Sequence, residues 1–174
     1  MLLKSLSAGF VSLIVAGACW GQEAPTPGPE HERLKKLVGE WNAEMDAGGQ
    51  KSQAAATYKS ICNGMWLSSD FEGDFGGFKF QGHGMDGYDL NKKKYVAIWV
   101  DSMQSAPLTM EGDYDEKTKT MTMTGESRGP GGTPQKVKTT TETKDDDHFT
   151  FKMYMVDGDG KEQHVFTIEY SRKK

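Results

Sequence analysis

Leu37-Val38-Gly39-Glu40-Trp41-Asn42-Ala43-Glu44-Met45 is the stretch where the rhythm of this chain changes. Before Gly39 the apolar residues recur at helical spacing. Leu34, Leu37 and Val38 mark one face of a short segment, Glu30 to Val38. Pro29 suits a helix start, and Glu30 and Glu32 complement the positive helix end. After Gly39 the period drops to two, and Trp41, Ala43 and Met45 share one face of a strand. The stretch predicts a short helix, a stop at glycine, and the first strand of a sheet.

Turn signals then punctuate the sequence at regular intervals. They fall at Asp46–Lys51, Asn63-Gly64, Phe75-Gly76-Gly77, Asp89–Lys93, Ser105–Pro107, Asp115–Lys119, Gly129–Pro134, Lys144–Asp147 and Asp157–Gly160. Nine turns give about ten strands, the pattern of an all-β sandwich or barrel. Short turns pair neighbours antiparallel in sequence order, as a meander. Alternation is clean in several strands. Phe149, Phe151, Met153 and Met155 share a face, as do Met121 and Met123. Phe166, Ile168 and Tyr170 share another, with His164 and Arg172 at the same parity. A sheet this long tends to curl and close, which removes its edges.

Closure makes the first and last strands neighbours. Antiparallel pairing then brings Trp41 beside Arg172, where a guanidinium over an indole makes a cation–π contact of about 0.5–2 kcal/mol. Gly39, Trp41 and Arg172 are thus read as the residues that close one end. A Gly-x-Trp after a short helix, with an Arg on the closing strand, resembles the calycin superfamily: lipocalins, fatty-acid-binding proteins and nitrobindin-like barrels. Further blocks run along most of the chain: Pro27-Gly28-Pro29-Glu30-His31, Leu37-Val38-Gly39-Glu40-Trp41, Phe71-Glu72-Gly73, Gly87-Tyr88-Asp89, Lys94-Tyr95-Val96, Trp99-Val100-Asp101-Ser102-Met103, Gly112-Asp113-Tyr114-Asp115 and Thr118-Lys119-Thr120. Together they resemble the bacterial family called domain of unknown function 1579. The resemblance implies a calycin-like barrel of about ten antiparallel strands with one N-terminal helix. It implies no activity.

The N-terminus reads as a targeting segment. A positive head ending at Lys4 precedes an apolar run from Leu6 to Ala18, with small-residue cleavage candidates at Ala16-Gly17-Ala18 and around Cys19. That run is too short to span a bilayer, which needs about 20 apolar residues. Residues 1–21 are expected to be a signal peptide, 22–29 a Pro-rich linker, and 30–174 a single barrel domain. The expected location is the periplasm or the outside of the cell, with lipid anchoring at Cys19 as an alternative. Beyond the signal Cys62 is the only cysteine, so no intrachain disulfide is available, and it is expected to be a buried, inert thiol. The whole chain has 21 basic and 25 acidic side chains. Removing residues 1–21 takes away only Lys4. The short Lys clusters make no basic stripe with interleaved aromatics, which argues against nucleic acid.

Candidate chemistry is sparse. Tyr95, Ala97, Trp99 and Asp101 share a strand face, so Asp101 is a carboxylate beside an apolar wall if that face looks inward. The competing reading has Asp101 end its strand and hold the following turn. His164 is the histidine in phase with an inward face, and the nitrobindin resemblance adds haem through that residue as an alternative to no cofactor. No metal-ligand spacing is present, and the Asp-Gly pairs read as hairpin turns. The Met content is high, with 10 in the chain, and Met suits irregular apolar surfaces. The function expected is binding of a small apolar or amphipathic molecule in the barrel interior. Trp66, Trp99, Asp101, Met153, Met155 and His164 are its candidate liners. The alternatives are an enzyme using Asp101 and His164 as an acid–base pair, and a structural or interaction protein of the cell envelope. Any enzymatic role stays open, with binding favoured.

Overall fold

In a computed structural model that describes residues 24–128 and 132–174, the helix α1 spans Pro29–Lys35 and ten strands follow it. The signal segment read at residues 1–21 lies outside the described residues. The ten strands are β1 (Gly39–Ala47), β2 (Gln50–Ile61), β3 (Trp66–Phe75), β4 (Phe78–Asp89), β5 (Lys94–Asp101), β6 (Leu108–Asp115), β7 (Thr120–Arg128), β8 (Pro134–Thr143), β9 (His148–Val156) and β10 (Glu162–Arg172). Every neighbour in sequence pairs antiparallel, and β1 closes on β10, so the sheet is a complete barrel with no free edge. Both the strand count and the closure match the sequence reading.

α1 ends earlier than the apolar spacing suggests. Gly28 N–H donates to His31 Nδ1 at 3.0 Å at its start. After Lys35 the chain tightens, with Lys36, Leu37 and Val38 amides donating to carbonyls three residues back. Gly39 then takes φ +135°, a region that L side chains rarely adopt. A Cβ there would also stand 2.7 Å from the Arg172 guanidinium. Glycine is required at this position on both counts.

The register of β1 with β10 puts Trp41 opposite Arg172. The Arg172 guanidinium lies 4.1 Å over the Trp41 ring. It also donates to the Val38 carbonyl at 2.8 Å, the Lys36 carbonyl at 2.9 Å and the Asp146 carbonyl at 2.9 Å. Carbonyls at a helix C-terminus have no partner within the helix and carry its negative end, so a cation is well placed there. The Trp41 indole donates to the Leu37 carbonyl at 2.8 Å. One arginine thus ties the end of α1, the β8–β9 loop and the first strand together.

Two clusters fill this half of the barrel. Trp41, Ala43, Ala56, Phe71, Phe149, Ile168 and Tyr170 form one, with Phe149 stacked on Tyr170 and edge-on to Trp41. Leu34 of the helix joins Leu67, Tyr95, Ala97 and Met123 in the other. Cys62, expected in the core, is exposed instead. It opens the tight β2–β3 turn, at φ +50°, where the chain has left the barrel wall. No described helix is long and apolar enough to cross a membrane, a statement that does not extend to strands.

Candidate functional site

α1 and the odd-numbered connections sit at different ends of the barrel, and the two ends are built differently. At the helix end Arg33 of α1 reaches across the barrel rim. It donates to the Tyr95 hydroxyl at 2.6 Å, lies 4.0 Å over the Tyr114 ring and pairs with Glu116. The other end is ringed by the β1–β2, β3–β4 and β9–β10 hairpins, the β5–β6 loop and the β7–β8 connection, and α1 does not reach it. Inward side chains near that end, Phe75, Phe80, Trp99, Phe151, Met153, Met155 and Phe166, all keep part of their surface accessible. An apolar wall that stays accessible is what a mouth for a small molecule presents.

Trp99 is the largest side chain of this wall, and two glycines make its seat. A Cβ on Gly82 would stand 2.2 Å from the indole, and one on Gly84 3.2 Å. The ring therefore lies flat on the backbone of β4. Its N–H donates to Asp101 Oδ2 at 2.9 Å, while Asp101 Oδ1 accepts the Met103 amide at 2.8 Å. Asp101 thus fixes both the indole and the start of the β5–β6 loop.

Deeper in, β4 places Asp86 on the same face as Phe80, Gly82, Gly84 and Tyr88. Its cross-strand neighbours are Leu67 and Ala97. Those two are 1 % and 6 % exposed, whereas Asp86, enclosed by protein, keeps some accessible surface. That combination belongs to a side chain facing interior space. Burial pushes its carboxyl up to about 7. Tyr58 and Tyr170 interact side chain to side chain nearby, and burial raises the hydroxyl pKa of both. Above them His31 is buried with Nε2 unpartnered, its ring edge-on to Tyr88 at 6.1 Å. Since Nδ1 accepts the Gly28 amide, Nε2 is the protonated nitrogen of the neutral ring.

A family model for a protein of unknown function, DUF1579, matches residues 26–172. The chain belongs to that family. No curated protein matches this DUF1579 chain in sequence. Among solved structures it is similar to Rv2717c from M. tuberculosis, at 9% identity and TM-score 0.62, over 84% of this chain and 99% of that one. It is also similar to the S-type phycobiliprotein lyase CPES from Guillardia theta, at 9% identity and TM-score 0.54, over 83% of this chain and 93% of that one. At such identity the likeness is one of fold, and it carries no residue across.

The sequence-derived site residues of this DUF1579 chain separate into two groups. Trp99, Asp101, Met153 and Met155 face inward at the mouth. Trp66 does not. Its strand neighbours Leu67, Ser69 and Phe71 point inward, so Trp66 lies on the outer surface, its ring against Gly87. There it borders an outer groove of about 690 Å³ with Val96, Ile98, Thr109 and Glu111. His164 is also outside. Between His164 and Phe166 the β9–β10 register shifts by one residue, Val165 being the extra one. Such a bulge reverses parity on either side of it. His164 pairs with Tyr154, meets its ring at 5.5 Å, and bonds Thr167 on the outer face. The alternative Asp101–His164 acid–base pair is therefore not formed, and His164 offers haem no inward ligand. Asp86 escaped the sequence reading. Its signal was available in the alternation Phe80, Gly82, Gly84, Asp86, Tyr88, against Lys79, Gln81 and His83 on the opposite face.

Proposed function

We propose that this protein binds a small apolar or amphipathic molecule in the barrel interior, admitted at the end opposite α1. The observation that carries this reading is the contrast in exposure along one inward surface. Trp41, Ala43 and Phe149 at the helix end are buried, while Trp99, Phe151, Met153, Met155 and Phe166 at the other remain accessible. Accessible apolar area inside a barrel is the area that a guest can remove from water, at about 25 cal/mol per Å². Methionine adapts its shape to such guests at little strain. Both oxygens of Asp101 are engaged in fixing Trp99 and the loop, which favours a binding role over catalysis at the mouth. Export through residues 1–21 is part of the proposal and is supported by the charge and apolar pattern of that segment.

The test is titration of the purified protein with decanol, followed by isothermal calorimetry. Saturable binding is expected, and Met153→Trp, which fills the mouth, is expected to abolish it. Unsaturable uptake, or equal binding by the Met153→Trp variant, would remove the interior from consideration. A second reading, an interaction role in the cell envelope, is favoured by Met85, Ile98, Val100 and Met103. All four are exposed on or beside the outer face of β4 and β5. Val100→Lys would weaken any self-association seen by sedimentation without touching decanol binding.

A further inference from the structure

Many described carboxylates of the outer surface find cationic partners. Glu44 pairs with Lys51, Glu111 with Lys92, Asp113 with Lys94, Glu162 with Lys138 and Glu169 with Lys144. Asp86 is different. It makes no hydrogen bond or ion pair with any described residue, and it sits where charge is most costly. Among the described residues no cation serves it. Arg33, the base of α1 nearest the barrel rim, is held by Tyr95, Tyr114 and Glu116. Arg172 is held by Trp41 and backbone carbonyls. Yet Asp86 is not sealed into the core, because it keeps accessible surface where Leu67 and Ala97 on either side have almost none.

The walls around it are aromatic. Tyr88 follows on the same face of β4, and Tyr95 and Trp99 flank Ala97, its partner on β5. Tyr88 and Tyr95 meet edge to face at 5.1 Å. Rings of this kind present negative faces that attract a cation, most strongly away from water. From the Asp86 row to the Asp101 row, β5 advances four residues, or about 13 Å at strand rise. The inward face therefore runs from a carboxylate beside aromatic rings to partly accessible apolar side chains at the mouth.

Resting on the binding reading above, we infer that the guest is an amphipathic amine, its apolar body between Trp99 and the mouth and its protonated nitrogen on the Asp86 carboxylate. An ammonium supplies the missing counter-charge, and its binding releases the proton that the empty site holds on Asp86 at neutral and lower pH. A carboxylate guest would meet like charge there. A neutral alcohol would gain the apolar contacts alone.

The titratable groups on the inward faces around Asp86 are Tyr58 of β2, Tyr88 of β4, Tyr95 of β5, Tyr114 of β6 and Tyr170 of β10, and α1 adds His31, Arg33 and Glu30, whose charge acts on Tyr95. Burial raises Tyr58, Tyr95 and Tyr170, so these stay neutral across the working range. A His31→Gln control separates the carboxyl from the one imidazole in the set.

The experiment compares decylamine, decanol and decanoate by calorimetry, with wild type and Asp86→Asn, from pH 5 to pH 8. At pH 8 decylamine is expected to bind wild type about tenfold tighter than decanol, the scale of one retained charge pair. Decanoate is expected to be the weakest. The amine preference should fall as pH drops toward 5, persist in His31→Gln and disappear in Asp86→Asn, which still takes decanol. The wild-type pH series decides the matter if Asp86→Asn fails to fold. Equal binding of amine and alcohol at pH 8 overturns the inference and leaves the binding reading standing. So does an amine preference that survives Asp86→Asn, since the cation is then held on the acidic exterior. Failure of all three probes to bind overturns both.

Discussion

At the helix end, Trp41, Phe149 and Tyr170 are packed ring against ring and buried. At the hairpin end, Trp99, Phe151 and Phe166 also face inward, and Phe151 stacks loosely on Phe166 at 6.0 Å, yet all three keep accessible surface. Aromatic content is similar. What differs is the polar work above the rings. Over Trp41, one guanidinium satisfies carbonyls of the helix end and of the β8–β9 loop, so α1 can lie across the rim with its backbone paired. At the hairpin end, Asp46, Asp74 and Asp157 bond backbone amides within their own turns. Each of these three turns is satisfied locally. Turns at the helix end, at Asp89, Asp115 and Asp145, satisfy their own amides too, so the Arg172 network is what sets the sealed end apart.

The largest test of this contrast is Trp41→Ala. Removing a fully buried indole should cost about 3–5 kcal/mol in urea unfolding, and the cavity would undercut Arg172 as well. A loss under about 1 kcal/mol would mean that the helix end is not held by its ring.

Next is the pH dependence carried by Asp86. Its carboxyl is raised in the folded state from the usual 3.8 to about 7. Between those values the folded chain binds more protons than the unfolded one, so stability falls as pH rises from about 4 to about 7. The full shift corresponds to about 4 kcal/mol as an upper bound. The lowered carboxyls of Asp89, Asp145, Glu44 and Glu169 act oppositely. Their contribution is present above their usual range and is lost only as pH falls below it. Denaturant melts of wild type and Asp86→Asn at pH 5 and pH 8 separate the two, because the variant should lose the decline. An unchanged slope would show that Asp86 is solvated like a surface acid.

Gly82→Ala probes the open end. The added methyl must push the Trp99 ring off its glycine seat, at about 1–2 kcal/mol, since the ring has accessible space to move into. Its fluorescence should shift red and its bond to Asp101 should be lost. Smallest of all is Met155→Ala, expected to cost under about 1 kcal/mol because that side chain is only partly buried. A cost near that of Trp41→Ala would show that the mouth is packed as tightly as the sealed end.

The architecture was legible because its signals are local. Nine turn clusters and period-two alternation mark the strands, and Gly39, Trp41 and Arg172 mark the seam. The site was less so, for three physical reasons. The bulge at Val165 has no glycine or proline to announce it, and it turned His164 outward. Trp66 is a candidate liner in the sequence reading, although the parity of Leu67, Ser69 and Phe71 assigns it to the outside. Gly82 and Gly84 carry no side chain to signal a role, and their use is the space they leave for Trp99 on the next strand. That use, like the isolation of Asp86, is a property of neighbours distant in sequence.

The bond from Arg172 to the Val38 carbonyl joins residues 134 positions apart. During synthesis β1 has emerged long before its partner exists. Until β10 arrives, β1 and β9 present bare strand edges, the kind that pair with other chains. The seam is therefore the last part of the sheet to be completed, and it lies at the slow, non-local end of the folding range. A nascent chain stalled before residue 172 is a sheet with two adhesive borders, and its protection until release falls to whatever accompanies it.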